Sequence, residues 1–265
     1  MMSDYVDVDI FWLKVVLSFF VGGGYIAFTV FVSEKFGSKI GGIILGLPST
    51  LLISLIFTAW AQDTQTVVNT LPIIPAGLAL SSLFAMFFIM AYGRGLKTAP
   101  AIAISLLGWG VLSLILAILK PPLPLSILIC LTGIGIAIWY LQKFPHQKLD
   151  KIKSSYSIFI YRAVFAGAVI VISVLMNKFM GPIWGGMFAV FPAAFTSSLY
   201  FISKEHGFKF VSSVARTMPW GTLGTMTFAI SLYFLIGCIG FVPSLIVAYI
   251  ISVFCAIGIY FLPLK

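Results

Sequence analysis

Charge is scarce in this chain, and apolar residues dominate it. Asp, Glu, Lys and Arg together make up 9% of the 265 residues, whereas apolar residues make up 61%. Mean hydropathy is +1.13, and no polar segment is long enough to fold as a soluble domain. A water-soluble fold cannot cover so much apolar surface, so the composition predicts an all-α polytopic membrane protein whose solvent is lipid.

Acidic residues are absent from the middle of every apolar run. Glu34, Asp63, Asp150 and Glu205 all lie at the ends of these runs or between them. Carboxylates buried in the membrane are the usual relays of proton-coupled transport. The sequence therefore gives no support to a proton relay of that kind.

Cysteine, histidine and enzyme motifs are also sparse. Cys130, Cys238 and Cys255 lie singly within apolar runs, which is typical of small packing residues. The only histidines, His146 and His206, lack partners at metal-ligand spacing, and no P-loop or G-x-S-x-G motif is present. We therefore expect no enzymatic activity, no catalytic or metal-binding residue and no cofactor.

Apolar runs of about 20 residues recur along the chain, and about 20 helical residues cross a bilayer core. They predict nine transmembrane helices within a single integral membrane domain. The acidic tail before the first run is unlike the start of a cleavable signal peptide. The predicted spans are 10–32, 38–60, 70–92, 98–118, 123–142, 157–178, 181–203, 214–237 and 241–262.

The net charge of +9 is interpreted as a topology signal, since no basic groove with aromatic side chains suggests nucleic-acid binding. Nine spans place three basic residues near the face that carries the N-terminus: Lys14, Lys120 and Lys178. The others collect near the opposite face: Lys35, Lys39, Arg94, Lys97, Lys143, Lys148, Lys151, Lys153, Arg162, Lys204, Lys209, Arg216 and Lys265. This bias predicts an inner-membrane protein with its N-terminus outside and its C-terminus in the cytoplasm.

Two stretches of the chain, 144 residues apart, share one pattern. "GGIILGLPSTLLISLIF" begins at Gly41, and "GGMFAVFPAAFTSSLYF" begins at Gly185. Apolar composition alone does not explain paired prolines and glycines in one register, so we interpret the pattern as a duplication. The identical pairs are Gly41/Gly185, Gly42/Gly186, Pro48/Pro192, Ser54/Ser198, Leu55/Leu199, Phe57/Phe201, Val67/Val211, Pro75/Pro219, Gly77/Gly221, Phe84/Phe228 and Ala85/Ala229.

The duplication predicts two four-helix repeats, at about 10–118 and 157–262, joined by a linker helix at about 123–142. Four helices return the chain to its starting face, and the linker then carries it across. The second repeat would therefore enter the membrane upside down. Inverted repeats of this kind are common among secondary transporters.

Prolines interrupt the second helix of each predicted repeat. Pro48 and Pro192 each remove a backbone donor near mid-membrane and free carbonyl groups, which adjacent hydroxyls could supplement in binding a solute or ion. Pro75 and Pro219 do the same near the third helix of each repeat. The alternative is ordinary helix kinking, which is frequent in membrane proteins with no transport role. The predicted substrate-binding residues are Pro48, Ser49, Thr50, Pro192, Thr196, Ser197, Pro75 and Pro219.

Three basic residues lie just inside predicted helices: Lys14, Arg162 and Arg216. We expect them to extend towards lipid headgroups. The alternative is that Arg162 and Arg216 attract an anionic solute to the cytoplasmic mouth of a transport pathway. The charged stretch "SKEHGFKF", which begins at Ser203, is expected to form a turn at the membrane interface.

Small-residue spacings predict close helix packing at Gly42-x-x-x-Gly46 and Gly181-x-x-x-Gly185. The run Gly22-Gly23-Gly24 in the first helix predicts either a hinge or a close-packing face.

The second half of the chain resembles the GlpM family of short bacterial inner-membrane proteins. The resemblance covers residues 167–265 through "WGGMFAVFPAAFTSSLYFISKEHG", from Trp184, and "VARTMPWG", from Val214, and the first half carries it weakly through Gly41-Gly42 and Pro48. The matching residues are the Phe191-Pro192 pair with the glycine before it, Tyr200, Glu205 and Gly207, whereas Leu199 replaces a family histidine. The resemblance implies an inner-membrane location and units of about four helices, with no settled substrate.

The repeat and the resemblance together suggest that this chain is a fused version of two antiparallel units. Its partners are expected to be the lipid bilayer and a small-molecule or ion substrate, with a homodimer as a further option. The favoured function is transport of a small solute. The alternatives are a non-transporting accessory or scaffold protein of the cell envelope and a channel.

Overall fold

In a computed structural model, the chain is described at residues 2–35, 44, 47–144 and 156–261. All regular structure in these ranges is helical. Several residues used in the sequence predictions lie outside the described ranges: Lys39, Gly41, Gly42, Gly46, His146, Lys148, Asp150, Lys151, Lys153 and Lys265.

The described residues form eleven α-helices and one turn of 3₁₀ helix at Leu71–Ile73. The α-helices are α1 Met2–Lys35, α2 Ser49–Ala61, α3 Thr64–Thr70, α4 Ile74–Gly93, α5 Thr98–Leu119, α6 Leu123–Leu141, α7 Tyr156–Met180, α8 Pro182–Ala189, α9 Ala193–Ala215, α10 Met218–Ile239 and α11 Phe241–Phe261.

Within the described ranges, eight helical segments are long and apolar enough to cross a membrane, so the chain is a polytopic integral membrane protein. The outer helices support this assignment because they expose large apolar side chains, such as Leu107 on α5 and Phe254 on α11. The predicted second span, 38–60, is described only at 44 and from 47 onward. Its described helix, α2, is the shorter apolar helix of 13 residues.

One connection predicted as non-helical is helical, and another contains a break where a turn was expected. The segment after α2 forms α3, which begins where the Asp63 side chain accepts a hydrogen bond from the Thr66 amide at 2.6 Å. The interfacial turn expected at Ser203–Phe210 coincides with a break in the structure. Helix α9 consists of two helical pieces that meet in a kink at Gly207, where φ is 74° and ψ is −175°. Glycine occupies this region without steric cost.

Helix α4 forms the centre of the bundle and is buried along most of its length. It packs against α5, α6, α9 and α10. This position brings its middle turns against the proline-interrupted segment between α8 and α9.

Helices α1 and α7 cross closely and run in opposite directions. A Cβ atom at Gly23 would overlap the carbonyl oxygen of Ala163, and one at Gly167 would lie 2.5 Å from the carbonyl oxygen of Phe19. Residues 23 and 167 are 144 positions apart, and so are residues 19 and 163, so each contact is the repeat counterpart of the other. Contacts across a local two-fold axis are reciprocal in this way. The close-packing alternative for the glycine run is therefore correct at Gly23.

The other glycines of these predictions differ in whether they pack closely against a neighbouring residue. A Cβ atom at Gly22 would overlap the Ile170 side chain, whereas one at Gly24 would meet nothing within 4 Å. Gly185 packs against the Asn177 carboxamide, as its spacing predicted. Gly181 has open space around it and φ of 89° at the start of α8, so its predicted packing role is wrong.

The expectation that Arg162 and Arg216 extend towards headgroups is also wrong. Arg162 is 3% exposed, with its guanidinium carbon 5.5 Å from the ring centre of Phe201. Arg216 is 8% exposed and donates a hydrogen bond to the Phe144 carbonyl at 2.9 Å. Protein contacts rather than lipid therefore surround both side chains.

Candidate functional site

The two predicted helix breaks have the same backbone geometry. Pro48 has φ of −73° and ψ of 39° before α2, and Pro192 has φ of −74° and ψ of 51° before α9. In each break the residue after proline donates to the carbonyl of the residue before it, at 2.7 Å in both cases. This is the hydrogen bond of an inverse γ-turn, and it redirects the chain at each proline.

The carbonyls that proline would free are bonded again within each break. The Ile44 carbonyl accepts from the Leu47 amide at 3.1 Å, and the Phe188 carbonyl accepts from the Phe191 amide at 3.1 Å. The carbonyl of Pro48 accepts from the next turn of α2, and that of Pro192 from the next turn of α9. The expectation of free carbonyls beside the prolines is therefore wrong, because local turns satisfy them.

Backbone amides, by contrast, are left over at the start of both helices. The first α-helical bonds of α2 and α9 are those donated by Leu52 and Thr196. Within the described part of the chain, four amides make no hydrogen bond, and no side chain caps either helix: Thr50, Leu51, Ala194 and Phe195. Each helix thus presents two donors at its N-terminus.

Both helix starts border one partly open cavity with a volume of ≈ 50 Å³. Fourteen of the sixteen lining residues form pairs 144 positions apart: Leu47/Phe191, Pro48/Pro192, Ser49/Ala193, Thr50/Ala194, Leu51/Phe195, Leu78/Thr222 and Ser81/Thr225. The other two, Ala189 and Val190, correspond to Leu45 and Gly46, which lie outside the described residues. The cavity therefore lies where the two halves of the chain present equivalent surfaces.

Hydroxyl groups supply the polar side chains of the cavity wall. Ser49 and Thr50 come from α2, Ser81 from α4, and Thr222 and Thr225 from α10. The Ser81 hydroxyl donates to the Val190 carbonyl at 2.6 Å and so occupies the remaining carbonyl of the second break. Ser49 is 4% exposed, and its hydroxyl makes no hydrogen bond to any residue that the structure describes.

The structure brings only some of the predicted site residues together. Pro48, Ser49, Thr50 and Pro192 line the cavity. The other predicted residues, Thr196, Ser197, Pro75 and Pro219, are not among its lining residues. Thr196 and Ser197 donate to the Pro192 and Ala194 carbonyls, and Pro75 and Pro219 lie in the first turns of α4 and α10.

Sequence reasoning missed three lining hydroxyls, Ser81, Thr222 and Thr225. Ser81 lies on α4, shortly after Pro75 and Gly77. Thr222 and Thr225 lie on α10, shortly after the paired residues Pro219 and Gly221. The available signal was the repeat register, since Ser81 and Thr225 are hydroxyl residues 144 positions apart. Non-identical pairs of this kind escape a search for identical residues.

A second polar cluster lies near the end of α7. The Asn177 carboxamide accepts from the Thr70 hydroxyl at 2.8 Å and donates to the Ser173 carbonyl at 3.3 Å and towards the Thr58 hydroxyl at 3.5 Å. Gln62 donates to the Val174 carbonyl at 3.1 Å. Asn177 is 4% exposed, so the cluster ties α2, α3 and α7 together inside the protein.

Comparison with known proteins adds a family match over part of the chain. Residues 15–120 match the profile of DUF3147, which is described as a protein of unknown function. No curated protein and no solved structure matches the chain significantly.

Proposed function

We propose that this protein is a membrane transporter for a small solute, built from two inverted four-helix repeats that share the central cavity as the substrate site. The repeats would be residues 10–118 and 157–262, joined by α6. The observation that carries the proposal is the cavity itself, whose walls consist of paired residues from both halves at the two proline breaks. Discontinuous helices meeting near mid-membrane are how many inverted-repeat transporters build their substrate sites.

The packing of the two halves supports an inverted arrangement. Helices α2 and α9 begin at positions 144 residues apart, as do α4 and α10. The antiparallel crossing of α1 and α7 is reciprocal at the same offset, through Gly23 and Gly167. Two halves related in this way expose equivalent surfaces to opposite sides of a membrane.

The family match supports the division into units. It covers residues 15–120, close to the proposed first repeat, while the resemblance to the GlpM family lies in the second half. Orientation is part of the proposal: the excess of basic residues favours a cytoplasmic C-terminus and an external N-terminus in the inner membrane.

Thiol accessibility tests whether the cavity can be reached from water. Ser49→Cys and Ala193→Cys place one thiol in each half of the cavity wall, in a background with Cys130, Cys238 and Cys255 replaced by serine or alanine. We expect both thiols to react with aqueous methanethiosulfonate reagents in membrane vesicles. Alternating access opens the cavity to each side in turn, so each thiol should react at least about tenfold faster than a buried control.

Ser105→Cys is the matched control. Ser105 is fully buried, donates to the Ala101 carbonyl at 2.7 Å and lies on α5 outside the cavity wall. Rates at positions 49 and 193 equal to that of the control would contradict the transporter proposal. That result would favour the alternative of a non-transporting accessory or scaffold protein with a solid interior.

A further inference from the structure

We infer that the central cavity binds a small monovalent anion, held by the N-termini of α2 and α9 and by the Ser49 hydroxyl. The inference rests on the proposed function, since it names the class of substrate for the same site. An anion site must offer hydrogen-bond donors and a positive electrostatic potential in the same place.

The backbone of the cavity offers donors and few acceptors. The amides of Thr50, Leu51, Ala194 and Phe195 make no hydrogen bond within the described chain, and all four residues line the cavity. Among the described carbonyls of the breaks, that of Val190 accepts from the Ser81 hydroxyl, and the following accept from local amides: Ile44, Leu47, Pro48, Phe188, Phe191 and Pro192. Buried amides require an acceptor, so the site suits an anion better than a cation.

An unpartnered side chain adds an independent donor. Ser49 is 4% exposed and lines the cavity, and its hydroxyl makes no hydrogen bond to any described residue. Because Ser49 lines the cavity, its hydroxyl can bond a water or a ligand there. A hydroxyl can donate to an anion while the adjacent amides bind its other side.

The two helix N-termini supply the charge that attracts the ligand. Each is equivalent to roughly half a positive elementary charge, so two that border the same cavity offset about one negative charge. None of the described lining residues carries a charge of its own. This balance favours a monovalent anion over a divalent one and disfavours cations.

The size of the cavity restricts the ligand further. A volume of ≈ 50 Å³ accommodates about three to five water molecules, by the space that one water requires. Anions of the size of chloride, nitrate or formate fit this limit. Gluconate, a much larger monovalent anion, does not.

The test measures the melting temperature of the purified full-length protein in detergent. Sodium chloride, sodium nitrate and sodium formate are titrated against sodium gluconate at constant ionic strength, together with a panel of neutral polyols, sugars and cations. A ligand that binds only the folded state raises the melting temperature by mass action. We expect a saturable rise with at least one small anion, unchanged when choline replaces sodium.

Substitutions at Thr50 locate the anion. Thr50 is half-buried at the second position of α2, where an aspartate places a fixed carboxylate at the helix N-terminus. Thr50→Asp should abolish the anion-dependent rise, whereas the nearly isosteric Thr50→Asn should retain it. Without ligand, the melting temperature of Thr50→Asp should be no lower than that of Thr50→Asn. This comparison distinguishes a loss of binding from a loss of folding. Ser49→Ala should weaken the apparent affinity about tenfold, as expected for a lost hydrogen bond to a charged group.

The outcomes separate this inference from the proposed function. An anion-dependent rise that is equal in Thr50→Asp and Thr50→Asn would overturn the inference, because the anion would then bind elsewhere. A rise produced only by a neutral or cationic solute, with reactive thiols at positions 49 and 193, would overturn it and leave the transporter proposal standing. No response to any solute, together with unreactive thiols, would overturn both.

Discussion

Gly23→Ala is expected to lower the stability of the folded protein by about 1–3 kcal/mol, the usual cost of overpacking. The new methyl group would overlap the Ala163 carbonyl oxygen, and the next contacts are the Ala163 carbonyl carbon at 3.1 Å and the Cα atom of Gly167 at 3.2 Å. These are backbone atoms, so none can move aside without separating α1 from α7. The measurement is the midpoint of thermal or denaturant unfolding in detergent.

Gly24→Ala is the matched control, one residue further along the same helix. Its methyl group would meet nothing within 4 Å, while any gain in helix propensity is the same at both positions. We expect Gly24→Ala to leave the unfolding midpoint unchanged or slightly higher. Equal midpoints for the two variants would show that α1 and α7 do not cross at Gly23.

Asn177→Ala is expected to cost about 1–2 kcal/mol. The side chain accepts from Thr70 at 2.8 Å and donates towards Thr58 and Ser173, and hydrogen bonds between membrane helices contribute about 0.6 kcal/mol each on average. The buried groups left without a partner add to the loss. The midpoint of unfolding again measures the change.

A double-mutant cycle with Gly185 makes the prediction specific. A Cβ atom at Gly185 would overlap the Asn177 carboxamide and force it out of its hydrogen bonds. Gly185→Ala should therefore cost about as much as Asn177→Ala, while the double variant should cost no more than Asn177→Ala alone. Additive losses would contradict the contact. Gly135→Ala, whose methyl group would meet nothing within 4 Å, is the neutral control.

The membrane-spanning helices could be predicted from hydropathy because lipid leaves few alternatives for the backbone. The helix breaks could be predicted because Pro48 and Pro192 cannot donate to the preceding turn. The break at Gly207 lies inside the stretch where polar residues and a glycine predicted a turn. Helix α3 could not be predicted in this way, because its polar sequence resembles a loop.

The site was predicted in part, and for a physical reason. Residues next to the prolines, such as Ser49 and Thr50, are identified by the break itself. Ser81 and Thr225 reach the cavity only because α4 and α10 pack across the breaks, and no local pattern states which helices will be neighbours. Likewise, the burial of Arg162 depends on the position of Phe201 on another helix.

The repeat register also shows where the two halves differ. Thr58 and Thr70 belong to the Asn177 cluster, but their counterparts 144 residues later are the apolar Ile202 and Val214. The opposite end is tied by different hydrogen bonds, from the Tyr92 hydroxyl to the Ser203 carbonyl and from the Ser203 hydroxyl to that of Thr98, both at 3.0 Å. The two ends therefore differ in their polar contacts.

For a carrier of the proposed kind, this difference sets a resting state. Two identical halves would populate the states open to either side equally, whereas unequal contacts shift that balance by tenfold for every 1.4 kcal/mol. Removing the Asn177 cluster should therefore shift the balance of the empty protein away from closure at that end, and the two directions of transport should change unequally.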